Sequence, residues 1–249
     1  DQVHLRLRND EQIIRVGSDQ YGVAAEDDLV VRAAKKLQAC SHIRQGVEIA
    51  VSKQIPLGGG FGGGSSDAAT TLVALNFLWN ANLDIDALAG IGLSLGADVS
   101  VFVRGHSAWA EGVGEKLTPI DLPQAAYLLV DSGVSVPTRE LFQTLELTRN
   151  AAPATIADFV SGTVLGNAFE PVLRAREKTV DRLLEFLSQF GTACLTGTGG
   201  GCFVGFKTFA EAQAVQQRLP PEFKSWVANG VNRSVLHSQL EHWTNKRDL

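Results

Sequence analysis

Lys53-Gln54-Ile55-Pro56-Leu57-Gly58-Gly59-Gly60-Phe61-Gly62-Gly63-Gly64-Ser65-Ser66-Asp67-Ala68-Ala69 is the stretch on which the reading of this chain turns. It joins Gly46 to Lys53, which reads as a strand, to Ala68 to Trp79, a strongly helical and mostly apolar segment. The order is strand, glycine loop, helix. Glycine lets a backbone take positive φ and come close to a ligand. The first-turn N–H groups of a helix lack intrahelical partners and, with the helix dipole, make an anion site suited to a di- or triphosphate. Ser65 and Ser66 add hydroxyls able to cap the helix or to reach a phosphate or a metal. The plainer alternative is a flexible turn with one of these serines as N-cap. A turn needs only a glycine or two, and this loop holds six.

Several phosphate-binding patterns fail on the residues. A P-loop requires glycine followed by lysine, and the chain has no Gly-Lys pair. Gly58, Gly60 and Gly63 satisfy G-x-G-x-x-G, but dense glycine does so by chance. A dinucleotide fold also wants an acid at the end of a second strand, whereas Asp84 and Asp86 begin a helix candidate that runs to Leu95. Neither the H-R-D nor the D-F-G of protein kinases occurs.

Upstream of the loop, Gln2 to Arg8 alternates with period two and reads as a strand. Asn9-Asp10 signals a turn, with Gln12 to Val16 as the returning strand. Glu26-Asp27-Asp28 then opens a helix with Leu29, Val30, Ala33, Ala34 and Leu37 at helical spacing; these acids read as a solvated helix start. Downstream, Gly96-Ala97-Asp98 is a turn leading into Val99 to Val103, and Gly105 to Glu115 reads as a strand with a turn. His106 and Trp109 there read as a structural strand residue and its buried neighbour. Pro119 to Pro123 is the best domain boundary. Beyond it come a strand at Ala126 to Val130, a helix at Pro137 to Leu145 and a longer one at Glu170 to Phe190. The strand Ala193 to Leu195, the loop Thr196 to Gly201, the strand Cys202 to Phe206, the helix Thr208 to Leu219 and the strand Ser225 to Ala228 follow. His237 to Leu249 is polar and reads as a fraying tail. Mixed strands and helices in both halves give an α+β or α/β class.

Composition bounds the function. The 249 residues suffice for one large domain or two small ones, and 45% apolar with 20% charged is a globular balance. With 22 basic against 27 acidic residues the net charge is -5, which argues against nucleic acid as a partner. No apolar run approaches the ~20 residues that span a bilayer. Cys40, Cys194 and Cys202 are too few and scattered for a disulfide framework or a zinc cluster, and read as buried small hydrophobes in a reducing compartment. The chain has no methionine, so it is expected to be trimmed or incomplete at its N-terminus.

The loop from Pro56 to Ala69 resembles that of the GHMP kinases, the family of galactokinase and of homoserine, mevalonate and phosphomevalonate kinases. Lys53-Gln54-Ile55-Pro56 with the glycine loop and Leu75-Asn76-Phe77-Leu78-Trp79 is similar to one branch of it, whose acceptor is a cytidine diphosphate-linked methylerythritol. So are Gly96 to Phe102, Gly105 to Glu115, Gly133-Val134-Ser135-Val136-Pro137-Thr138 and Leu195-Thr196-Gly197-Thr198-Gly199-Gly200. The motifs fall in the family's order between Gln2 and Val235. The resemblance implies an α+β, two-domain fold: an N-terminal domain like domain 2 of ribosomal protein S5, here 1–122, and a ferredoxin-like C-terminal domain, here 123–249. It implies ATP-dependent phosphorylation of the acceptor's 2-hydroxyl, a step of the non-mevalonate (MEP) route to isoprenoid precursors. ATP and Mg²⁺ are the implied cofactors. The protein is expected as a monomer or homodimer in a bacterial-type cytoplasm, with a plastid precursor left open. Competing readings are another GHMP kinase of homoserine or mevalonate type, a non-catalytic ATP-binding relative and, more distantly, a dinucleotide-binding oxidoreductase.

Asp98 matches the family's catalytic aspartate, a carboxylate able to take or orient the acceptor's proton; the alternative is a turn aspartate capping local backbone. Pro56, Leu57, Gly58, Gly59, Gly60, Phe61, Gly62, Gly63, Gly64, Ser65 and Ser66 would hold the triphosphate, with Ser65 or Ser66 reaching Mg²⁺. Thr138 and Phe142 match positions lining the substrate pocket, where the ring would stack on cytosine; the alternatives are a first-turn threonine and an ordinary core phenylalanine. Thr196, Gly197, Thr198, Gly199 and Gly200 match the third family motif, which packs on the phosphate loop; the alternative is a hairpin turn. The family also opens on a strand with Pro-Ala-Lys-x-Asn and a later Gly-Tyr-His, whose lysine assists catalysis and whose tyrosine and histidine contact the nucleobase. None of these occurs here, and the chain is expected to begin after them.

Overall fold

A computed structural model of the chain describes residues 1–17, 22–150, 154–160 and 166–247. In chain order it forms β1 (Gln2–Leu7), β2 (Ile13–Arg15), α1 (Leu29–Ser41), β3 (Val47–Ser52), α2 (Gly63–Leu78), α3 (Ile85–Leu93), α4 (Val99–Arg104), β4 (Ala108–Glu111) and β5 (Lys116–Pro119). Then follow β6 (Ala126–Asp131), α5 (Thr138–Gln143), α6 (Ile156–Val160), α7 (Glu170–Arg176), α8 (Lys178–Ser188), β7 (Ala193–Leu195), β8 (Gly201–Phe206), α9 (Phe209–Gln216), β9 (Lys224–Asn229) and α10 (Val235–Arg247). The residues group into two units: Asp1–Ile55, Gly62–Leu122 and Val231–Leu249 in the first, Pro56–Phe61 and Pro123–Gly230 in the second. The class is α+β.

In the first unit β1 and β2 do not form the expected hairpin. β3 lies between them, antiparallel to β1 and parallel to β2. Val47 and Ile49 of β3 are fully buried, so that strand belongs at the centre, while β1 alternates exposed and half-buried residues as an edge does. Asp10 makes the turn by accepting the Gln12 N–H at 3.1 Å. Helix α2 is apolar on most sides and is buried accordingly, packing on α1, α3 and α4. Leu72 and Leu75 of α2 share one core with Leu37 of α1 and with Val99 and Val103 of α4.

Asp28 is no solvated acid. It caps α1 by accepting the Val30 N–H at 3.1 Å, and it pairs with Arg15 at 2.9 Å, both side chains nearly buried. Asp28→Ala removes a cap and one ion-pair bond to a nearly buried guanidinium, so a loss of about 1–3 kcal/mol is expected in urea unfolding. Asp28→Asn keeps the cap and isolates the charge contribution.

The C-terminal residues differ from expectation twice. They are helical in α10, and Val231–Leu249 group with the first unit instead of the second. Leu236 and Leu240 pack on the first unit's core. Ser234 N–H donates to Gly105 carbonyl at 2.8 Å, and the Asn232 side chain exchanges bonds with the Leu122 backbone at 2.9 and 2.8 Å. Residues 248–249 at the end of that expected tail lie outside the described residues.

The second unit carries an antiparallel sheet of order β7-β8-β6-β9. The helix expected over Glu170 to Phe190 is two helices, broken at Glu177 in extended conformation. No proline or glycine marks the break. Arg174 spans it to Asp181 at 2.7 Å, and both halves bury apolar residues (Leu173, Leu183) in one core. The Thr208–Glu211 capping box starts α9 as its sequence dictates.

Candidate active site

The glycine loop divides between the two units at Phe61 and Gly62. Gly62 is the N-cap of α2 in left-handed conformation (φ +73°), and no side chain caps it. Ser65 and Ser66 lie inside the first turns, so the plain serine cap considered above is not what the helix uses. The amides of Gly63, Gly64 and Ser65 have no intrahelical acceptor, and both serine hydroxyls stand half-buried beside them. This is a ready anion site in the first unit.

Two residues that sequence reasoning did not single out bracket it. Lys53, just past the end of β3, donates to the Asp67 carboxylate of α2 at 2.8 Å, with side chains only 13% and 8% exposed. Asp1 is the lysine's second partner. The pair ties the strand before the loop to the helix after it. Its signal was positional: a lysine and an aspartate flanking the loop at either end.

In the second unit, Pro56–Phe61 runs along the loop Thr196–Gly200. Gly201 N–H donates to Gly59 carbonyl at 2.9 Å, and the Thr196 hydroxyl donates to Gly60 carbonyl at 3.1 Å. The approach is backbone on backbone. A Cβ on Gly60 (φ +78°) would collide with Thr196 carbonyl, and one on Gly199 would collide with the backbone of Gly58 and Gly59. Gly197 and Gly200 are equally confined, by Gly60 and by Val134. Phe61 anchors this part of the loop by edge-on contact with Trp226, centroids 6.4 Å apart. Pro56 is half-buried, Leu57 exposed, and Gly58 lies against Ser135.

Thr138 and Phe142 sit on α5 in the same unit. The Thr138 hydroxyl meets the Thr198 hydroxyl at 2.8 Å, joining the expected substrate wall to the third-motif loop. Phe142 is 52% exposed, held edge-on by Phe169 at 5.0 Å. At that exposure Phe142 is not the ordinary core residue of the plainer alternative.

Asp98 belongs to the first unit, at the N-cap position of α4. It is exposed, and its side chain caps no backbone N–H. That removes the turn-capping alternative and leaves the carboxylate available to a ligand. Its surroundings are built: the Ser100 hydroxyl donates to the carbonyls of Ala97 and Gly114, each at 3.2 Å, so the turn after β4 braces the start of α4. Val113 N–H and the carboxylate of Glu115 shape that turn at 2.6 Å, and these backbone amides hold Glu115 below the usual carboxylate range.

The remaining candidates are structural. His106 lies outside the named strands, exposed, in an isolated bridge to Arg233; Trp109, expected to be buried, is half-buried on β4. Of the cysteines only Cys202 is fully buried, and burial pushes its thiol up to about 12; Cys194 is intermediate and Cys40 exposed. Among the described residues no His, Cys, Asp or Glu cluster is arranged to hold a metal ion, and no helix is long and apolar enough to cross a membrane.

Known proteins match this arrangement in sequence and in fold. Residues 28–106 match the GHMP kinases N terminal domain, and 145–225 match the GHMP kinases C terminal domain. A 4-diphosphocytidyl-2-C-methyl-D-erythritol kinase of Xanthomonas campestris pv. campestris (strain B100) is 60% identical over 97% of this chain and 82% of its own length. One of Xanthomonas axonopodis pv. citri (strain 306) is 62% identical over 95% of this chain and 80% of its own. A crystal structure of 4-(cytidine 5'-diphospho)-2C-methyl-D-erythritol kinase superposes with a TM-score of 0.73 at 29% identity, covering 91% of this chain and 85% of that one.

Proposed function

The chain belongs to the GHMP kinase family, and on that premise we infer that it transfers the γ-phosphoryl group of ATP to the 2-hydroxyl of 4-diphosphocytidyl-2-C-methyl-D-erythritol, in the MEP route to isoprenoid precursors. It is a kinase, and membership implies ATP as donor. The acceptor follows from the names of relatives about 60% identical over nearly the whole chain. The observation that carries the chemistry is the pairing, within one unit, of an uncapped glycine helix start with an uncommitted carboxylate on the helix packed beside it.

The triphosphate lies against the amides of Gly63, Gly64 and Ser65, where the helix dipole and outward N–H groups neutralise its charge. Asp98 accepts the proton of the acceptor's 2-hydroxyl as that oxygen bonds to the γ-phosphorus; the bond to the β,γ-bridging oxygen breaks and ADP departs. Phe142 stacks on the cytosine, and Thr138 with Thr198 offers hydroxyls to the same ligand. Thr196, Gly197, Gly199 and Gly200 hold the loop segment Pro56–Phe61 in place. Mg²⁺ fits this donor set: it prefers phosphate oxygens and water to a protein cage, and the Ser65 and Ser66 hydroxyls would complete its shell. When bound it neutralises phosphate charge. The bacterial cytoplasm, where ATP is at hand, is the proposed location.

The test is ADP release by the full-length protein with ATP and Mg²⁺, offered the cytidylyl acceptor, homoserine, mevalonate or no acceptor. Turnover only with the cytidylyl acceptor is expected. Turnover with homoserine or mevalonate alone would keep the phosphate-loop reading and overturn the substrate.

A further inference from the structure

Phe102 lies one helical turn beyond Asp98 on α4, so the two side chains share a face of that helix; the Phe102 N–H reaches the Asp98 carbonyl at 3.4 Å. The ring packs partly on the first unit's core. Its edge meets Gly62: a Cβ built there would lie 3.1 Å from both Cε2 and Cζ of the ring. Gly62 is the residue from which α2 starts. The ring therefore touches the backbone that projects the phosphate-facing amides. Phe102 also borders a cavity of about 330 Å³, lined among others by Ser66, Val101, His106 and Val235.

We propose that Phe102 is a positioning residue for phosphoryl transfer, a spacer whose ring sets the distance between Asp98 and the N-terminus of α2. The proposal rests on the roles given above to Asp98 and to the glycine helix start. Its logic is mechanical. No cap bond made by its own carboxylate fixes Asp98, so its place depends on how α4 is held. The Ser100 hydroxyl holds the start of α4 through Ala97 and Gly114, and Phe102 holds the next turn against Gly62. With a smaller side chain, α4 can close on the loop or settle toward the adjoining cavity. Phosphoryl transfer depends chiefly on positioning, and a misplacement of about 1 Å can cost on the order of 10²-fold in rate.

The experiment compares full-length wild type, Phe102→Leu, Phe102→Met and Asp98→Asn. Folding is checked by circular dichroism, ATP affinity by direct titration, and kcat and KM by steady-state kinetics with the cytidylyl acceptor. Phe102→Leu is expected to lower kcat roughly 10- to 100-fold with ATP affinity within about twofold of wild type. Phe102→Met, closer in volume, should fall between. A folded Phe102→Leu protein with wild-type kcat would overturn the proposal. So would a loss of ATP affinity in step with kcat, since the ring would then only support the loop. If the leucine variant does not fold, the methionine variant is judged by the same split. Turnover retained by Asp98→Asn would instead sink the proton-acceptor role itself. An inactive Asp98→Asn beside an unslowed Phe102→Leu would sink the spacer alone.

Discussion

Asp98→Asn is expected to lower kcat by about 10³-fold, within the range for loss of a general base, while ATP affinity stays within about twofold of wild type. Asparagine has nearly the shape of aspartate but cannot accept the hydroxyl proton. The substitution costs the fold little, because Asp98 is exposed and its carboxylate caps no helix N–H. The thermal midpoint should therefore scarcely move, separating a chemical defect from a structural one. The loss corresponds to about 4 kcal/mol of transition-state stabilisation at 1.36 kcal/mol per tenfold. A folded variant with turnover within tenfold of wild type would show that another group handles the proton.

The second large effect is expected at Gly199. A methyl group there would be driven into the carbonyl of Gly58 and the carbon and nitrogen of the next two residues. These are backbone atoms and cannot rotate aside. Gly199→Ala must push the segment Pro56–Phe61 off the loop Thr196–Gly200, breaking the bonds from Gly201 to Gly59 and from Thr196 to Gly60. Overpacking of this kind costs typically about 1–3 kcal/mol. Because the displaced segment leads directly into Gly62, the apparent affinity for ATP should fall at least about tenfold, roughly 1.4 kcal/mol. Titration of ATP against the folded variant reads this, and unchanged affinity would mean that the third motif does not govern the phosphate loop. Gly133 is a control: a Cβ there meets no atom within 4 Å, though its φ of +74° still strains an alanine.

The local parts of this protein were legible in its residues because the forces that set them act over a few positions. Glycine density and apolar spacing specify strand, loop and helix around residues 47–78. Asp84 caps α3 through Ala87 N–H at 2.8 Å, and Thr208 with Glu211 boxes α9. A helix start open to an anion follows from chain order alone, since the loop is covalently joined to the helix that supplies the amides. The motifs around Asp98 and Thr196 could be recognised by family likeness, but not what holds them.

Tertiary structure decided the rest, because contacts between distant residues are selected by how a whole unit packs. β3 separates β1 from β2 because Val47 and Ile49 must be buried, and a turn signal at Asn9-Asp10 cannot report which strand will be the neighbour. The polar C-terminal stretch is helical because Leu236 and Leu240 find a core to cover and His237 bonds the Val103 carbonyl at 2.8 Å. Thr196 meets Gly60 across 136 residues of sequence, and Thr138 meets Thr198 across 60. Whether Asp98 would be spent on capping or left for chemistry also depended on folded surroundings. The amino-acid order determined which residues stand as candidates for the chemistry; packing determined which of them stand together and which stay uncommitted.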